Sequence, residues 1–161
     1  LDPAQAGGGP LFNFGPHVID LFIYLVDDVA EVTARWNYGL RDDLIEDHTS
    51  LMMVGRETGA IGVGDISYTI PEGYERYFSV TTDRLHVGGD VGDEDILMRE
   101  GENQHVEGMN GLEVYDHYVG DTLEAFAEGR EPIATIHDMV PVLEVMNAAA
   151  ESASVGSTVV L

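Results

Sequence analysis

Six segments with strand character lie almost end to end between residues 29 and 98, and the connections between them are of turn length. They run from Val29 to Tyr38, Ile45 to Val54, Ala60 to Ile70, Tyr74 to Thr82, Arg84 to Val87 and Asp95 to Met98. In the first, Val32, Ala34 and Trp36 alternate with Glu31, Thr33 and Arg35, the period-two pattern of a strand with one buried face. The breaks are Gly39 to Asp43, Glu57-Thr58-Gly59, Pro71-Glu72-Gly73 and Gly88-Gly89-Asp90. A parallel pair needs a crossover of roughly a dozen residues or more, so the series predicts an antiparallel meander.

Helical periodicity brackets these strands. Pro16 fits only in a helix's first turn, where N–H groups lack partners anyway, which sets a helix from about Asn13 to Val26, ended by Asp27-Asp28. Its core face would be Val18, Leu21, Phe22 and Leu25. After an irregular stretch from Glu102 to Gly111, Tyr115, Val119, Leu123 and Phe126 recur at helical spacing until Gly129 and Pro132. A last helix is capped by Thr135 or by Asp138, and only the second choice leaves Pro141 in its first turn. Its buried face would be Val142, Leu143, Met146, Ala149, Ala150 and Ala153, and Gly156 would end it before a short strand over 158–161. The fold class expected is α+β, a predominantly antiparallel open sheet with helices packed on one face and the other face available for oligomerisation.

Composition narrows the function classes. The 161 residues are 44% hydrophobic, enough for one domain with a real core, and the apolar runs fall short of the roughly 18 residues of a membrane span. Acidic residues number 30 against 7 basic ones, a formal net charge of -23, and all seven basic residues are Arg. The acids are scattered among periodic apolar positions instead of blocked into a tail, and the balance reads as a halophile's cytoplasmic protein whose self-repulsion is screened by salt. Nucleic acid is not an expected partner, and without Cys there is neither a disulfide nor a thiolate metal site. The chain begins at Leu1 and enters a glycine-rich loop almost at once, which reads as a fragment or processed product.

That loop, Gly7-Gly8-Gly9, runs directly into the first helix. Lacking Cβ atoms, it lets another chain segment or a ligand come close to the backbone; otherwise it is a linker. On the helix, Asn13, His17, Asp20 and Tyr24 fall at i, i+4, i+7 and i+11, one polar stripe on an apolar helix. Such a stripe either lines a site or satisfies itself by internal hydrogen bonds, with Asn13 as a simple N-cap. Gly59-Ala60-Ile61-Gly62-Val63-Gly64 has the wrong spacing for a dinucleotide loop and precedes a strand. His48, His86, His105, His117 and His137 are dispersed, and no metal site is expected from them.

The motif Gly7-Gly8-Gly9-x-Leu-x-Asn13-x-Gly15-x-His17-x-x-Asp20 closely resembles the signature that opens the C-terminal domain of the glucose-fructose oxidoreductase and inositol dehydrogenase (Gfo/Idh/MocA) family. Phe126-x-x-Gly129-Arg130-x-Pro132, the Asp138 helix and Gly156 are similar to that family's ending, so the resemblance spans essentially the whole chain. It implies a substrate-binding and oligomerisation domain over residues 1–161. A separate N-terminal Rossmann domain would supply the NAD or NADP site and a lysine; this chain has no Lys at all. His17 matches the family's catalytic His. Asn13 stands where the family usually has Asp, and an amide orients a hydroxyl but cannot take its proton, so Asn13 and Asp20 are expected to bind substrate.

What the resemblance implies is hydride transfer between a sugar, cyclitol or related polyol and a nicotinamide, by a homodimer or homotetramer assembled sheet to sheet. The isolated chain would then be inactive. From a different class, the domain would be a non-catalytic sugar-binding or scaffolding module, with Asn13 marking the lost chemistry. A free-standing hydratase or isomerase has only His17 and Asp20 in its favour.

Overall fold

The computed structural model describes residues 7–38, 45–69, 77–90, 95–100, 102–107 and 111–161. In chain order the elements are α1 (Pro10–Asn13), α2 (Gly15–Leu25), β1 (Val29–Asn37), β2 (His48–Gly55), β3 (Ile61–Ser67), β4 (Tyr77–Thr81), β5 (His86–Asp90), β6 (Asp95–Glu100), β7 (Glu102–Glu107), α3 (Gly111–Glu128), a 3-10 turn (Ile136–Asp138), α4 (Met139–Val155) and β8 (Val159–Val160). They fall in two compact units, one within Leu1–Pro71 and Ile136–Leu161, the other within Glu72–Thr135.

The first unit is a four-stranded antiparallel sheet in the order β3-β2-β1-β8, with α2 and α4 against it. Register follows the alternation read from sequence: Val32 lies opposite Met53 and Ala34 opposite Leu51, all four buried. On the same face Gly62 and Gly64 of β3 lie beneath α2, where a Cβ at Gly62 would strike the Phe22 ring and one at Gly64 would sit 2.6 Å from Val18 Cγ1. The glycines that fail as a dinucleotide loop thus let a helix lie flat on a strand. Ile19 and Phe22 of α2 and Val142, Val145, Met146, Ala148 and Ala149 of α4 complete the core. Ser152, fully buried, joins helix to sheet: its Oγ accepts the Ala34 N–H at 2.9 Å and donates to the Ser157 carbonyl at 2.6 Å.

The opposite sheet face is open. Met52 lies opposite Val63 and Val54 opposite Ile61; Met52, Ile61 and Val63 are 42%, 69% and 75% exposed. Beside them is a polar cluster, in which Asp65 Oδ1 accepts hydrogen bonds from the Ser50 hydroxyl and from His48 Nε2, the latter at 2.7 Å.

The second unit holds an antiparallel sheet in the order β4-β5-β6-β7, and α3. The turn after α3 accounts for the tail motif. Gly129 takes φ +69, the Arg130 N–H bonds the Ala125 carbonyl at 3.0 Å, and Asp121 accepts the Ile133 N–H and the Arg130 guanidinium, each at 2.9 Å. The Ile133 N–H and then Arg130 hold the Asp121 carboxyl below its ordinary range.

The open antiparallel sheet matches expectation, but the strands divide into two meanders, and among the described residues β3 and β4 do not pair. Gly88-Gly89-Asp90 is not a turn. Gly88 pairs with Ser79 and Leu97, because ladder bonds need only the backbone. Residues 102–107, read as part of an irregular glycine- and Asn-containing stretch, form β7 against β6, with Val106 opposite Ile96. Asp138 is the N-cap residue of α4 and Pro141 lies in its first turn, while Leu143 is 44% exposed instead of buried. The expected turns at Gly39 to Asp43 and at Pro71-Glu72-Gly73 lie outside the described residues.

Candidate functional site

The glycine loop is closed by a carboxylate. Gly7 takes φ +72, and the Gly9 N–H donates to Glu46 Oε1 at 2.8 Å in a buried bond. A Cβ on Gly9 would collide with the Glu46 carbonyl oxygen and carboxyl group, so the close approach inferred from three glycines is made by the chain itself. Glu46 and Asp47 are 6% and 3% exposed. Asp47 is tied to both neighbouring strands, its N–H to the Asn37 carbonyl at 3.0 Å and its carbonyl to the Tyr68 N–H at 2.9 Å. Sequence reasoning placed this pair inside a strand beginning at Ile45; β2 begins at His48. The signal that could have found it is chemical, since adjacent acids between apolar Ile45 and a strand need donors, and the glycine loop has free N–H groups to offer.

With the Gly9 N–H bonded to a buried carboxylate, whose charge repels a second anion, this loop does not fit a cofactor diphosphate. Its work is to launch the helix. The Phe12 and Asn13 N–H groups bond the Gly9 carbonyl at 3.1 and 3.2 Å, closing α1, and the Phe14 carbonyl accepts from His17 and Val18 at 3.1 and 3.4 Å to start α2. Pro16 sits in the first turn of α2, as its chemistry requires. The helical run therefore starts at Pro10 and is interrupted at Phe14, earlier than the Asn13 start read from sequence, and Asn13 is not the N-cap.

Asn13, His17, Asp20 and Tyr24 are all exposed, Tyr24 at 83%. Among the described residues the side chains of Asn13, His17 and Asp20 make no hydrogen bond, so the stripe is not satisfied internally. It presents an amide, an imidazole and a carboxylate to whatever lies beyond it. Of the expected core face only Phe22 is fully buried, with Gly15 and Ile19 beside it; Val18 and Leu21 are half-buried and Leu25 is 44% exposed. Next to the stripe, Phe14 (45% exposed) meets the half-buried Tyr68 edge to face, ring centres 5.9 Å apart and planes at 71°. Sequence reasoning missed this pair, which brings together residues from α1–α2 and the end of β3. Among the described residues no group of three His, Asp or Glu is arranged to hold a metal ion.

Residues 1–92, more than half of the chain, match the GFO/IDH/MocA C-terminal domain. The chain belongs to the GFO/IDH/MocA family. Solved structures share its fold. An aldose-aldose oxidoreductase from Caulobacter crescentus, complexed with glycerol, superposes with TM-score 0.84 at 22% identity over 99% of this chain and 50% of its own. An oxidoreductase domain protein from Kribbella flavida gives 0.87 at 19% identity over 99% and 52%. A levoglucosan dehydrogenase, in complex with NADH and L-sorbose, gives 0.82 at 19% identity over 96% and 50%. The chain thus spans about half the length of these solved structures. No curated protein matches it.

Proposed function

We propose that this GFO/IDH/MocA chain is the substrate-binding domain of an NAD- or NADP-dependent oxidoreductase that acts on a sugar, cyclitol or related polyol. The observation that carries the reading is the exposed, unpartnered row of Asn13, His17 and Asp20 directly behind the family's glycine signature. Oxidising a secondary alcohol removes a hydride from carbon and a proton from oxygen. His17 has a ring nitrogen able to take that proton. Asn13 offers both a donor and an acceptor to a neighbouring hydroxyl, and Asp20 accepts from another, so together they orient the carbinol. The nicotinamide, as hydride acceptor, would be bound mainly by a separate Rossmann domain, since the only glycine loop described at this site is occupied by Glu46.

Two further elements belong to the proposal. The open face of the first sheet serves assembly into a homodimer or homotetramer, and the net charge of -23 adapts a cytoplasmic protein to high salt. A non-catalytic sugar-binding module is the competing reading, favoured by Asn13 in place of the family's Asp.

The test uses the full-length protein assayed against a polyol panel with both cofactors. His17→Ala should lower turnover by roughly 100-fold or more with cofactor affinity nearly intact, the scale of a lost general base. The chain alone should be inactive. Unchanged turnover in His17→Ala would reduce His17 to a surface residue, and a wild type that binds polyols without turning them over would establish the binding module.

A further inference from the structure

Phe14 is a large ring left half in solvent at the one place where the helical run breaks. Its neighbours explain why it points outward: Leu11 and Gly15 are buried, and Phe14 itself has φ -106, ψ -20, between α1 and α2. It is also held. Tyr68 packs against it edge to face, and Tyr68 is anchored through its own N–H to the carbonyl of buried Asp47. Phe14 lies beside Asn13 in the chain and precedes His17 by three, so the ring borders the polar stripe on the helix surface. An exposed aromatic surface braced by a second ring, next to unpartnered hydrogen-bonding groups, is suited to a ligand with one apolar face and a polar rim.

We infer that the Phe14–Tyr68 pair is a stacking platform that selects cyclic substrates, a pyranose or cyclitol in its chair form, over open-chain polyols. A chair presents several axial C–H groups on one face. These meet the electron-rich face of an aromatic ring while the equatorial hydroxyls reach Asn13, His17 and Asp20. An open-chain alditol carries the same hydroxyls but no preformed apolar face, and must lose rotational freedom to make one. Tyr68 acts through Phe14 as a positioning residue that fixes the ring plane. The inference rests on the sugar reading of the stripe and adds to it a shape selection.

The experiment compares wild-type full-length protein with Phe14→Ala and Phe14→Leu, using an aldopyranose or cyclitol and an alditol with a similar number of hydroxyls. Leucine keeps the site apolar and guards against misfolding of the alanine variant. In Phe14→Ala the KM for the cyclic substrate should rise about tenfold, that for the alditol less than about twofold, with kcat little changed; Phe14→Leu should lose most of the preference. Proton NMR gives a second readout: ring currents should move the bound sugar's C–H resonances upfield in wild type but not in Phe14→Leu. Equal losses for the cyclic and linear ligands, or turnover of a cyclic substrate without upfield shifts, would overturn the platform and leave the oxidoreductase reading standing. Upfield shifts without turnover would uphold the platform and overturn the oxidoreductase reading. Neither binding nor turnover would overturn both.

Discussion

Replacing Gly9 with alanine tests whether the glycine loop exists to accommodate Glu46. The added Cβ would run into the Glu46 carbonyl oxygen and lie 2.6 Å from Cδ and 2.8 Å from Oε1 of the same residue. Neither group yields cheaply, because Glu46 is buried and the next residue, Asp47, is tied to Asn37 and Tyr68 through its backbone. Overpacking of this kind costs about 1–3 kcal/mol, and pushing the carboxylate off the Gly9 N–H forfeits a further ~1.5–3 kcal/mol. Reduced freedom of the unfolded chain returns about 0.4–1 kcal/mol. A net loss near 3 kcal/mol follows, or roughly 6–12 °C in Tm for a chain of this size. Trp36, the single tryptophan, lies on β1 in the same unit as Gly9, so its fluorescence during urea and thermal unfolding at fixed salt reads the right part of the molecule. Gly120→Ala, in the interior of α3 with open space around it, is the control; it lies in the second unit, so its unfolding is followed by far-ultraviolet circular dichroism, and it should gain about 0.5–1 kcal/mol. Adding Glu46→Ala should relieve part of the Gly9→Ala penalty, making the pair non-additive. A Gly9→Ala protein within about 0.5 kcal/mol of wild type would refute the reasoning, because surface substitutions do no more than that.

Two further outcomes concern the open sheet face. The Ser50 hydroxyl and then His48 hold the Asp65 carboxyl below its ordinary value of 3.8, so its contribution to stability is complete above 3.8 and is lost as pH falls through the lower folded value. Denaturation midpoints followed from about pH 6 to pH 2 should therefore fall more steeply in wild type than in Asp65→Asn, and parallel curves would remove Asp65 from the account. Assembly through Met52, Ile61 and Val63 must overcome repulsion between copies of charge -23, so light scattering should give a larger particle as KCl rises toward about 1 M, and Val63→Asp should abolish the change. A wild type of monomer mass at molar salt and high protein concentration would exclude this face as an interface.

Much of the fold was legible because it is decided between near neighbours. The alternation of Val32, Ala34 and Trp36 against Glu31, Thr33 and Arg35 assigns β1 and its faces without reference to the rest of the chain. Pro16 and Pro141 each sit in a first helical turn because their rings exclude other positions, and Gly129 and Gly156 end helices at φ +69 and +78, where L side chains are strained. Most of the polar stripe was legible for the same reason, since α2 itself spaces His17, Asp20 and Tyr24, whereas Asn13 ends α1, before the break at Phe14. Its exposure was not. The core face read from sequence reached Leu25, whereas α2 buries only the side that meets β3 and α4, and Leu25 is 44% exposed.

What the sequence by itself determined, then, is the set of local elements and the side chains that share a face, since these depend on contacts within about four residues. Only the tertiary structure decided which strands share a sheet, that Gly88-Gly89-Asp90 pairs instead of turning, and that Glu46 fills the glycine loop from 37 residues away. It also decided that Phe14 and Tyr68 meet. These outcomes turn on which distant groups satisfy a buried donor or fill a missing Cβ, and many partners of similar chemistry compete for each such place until packing leaves one.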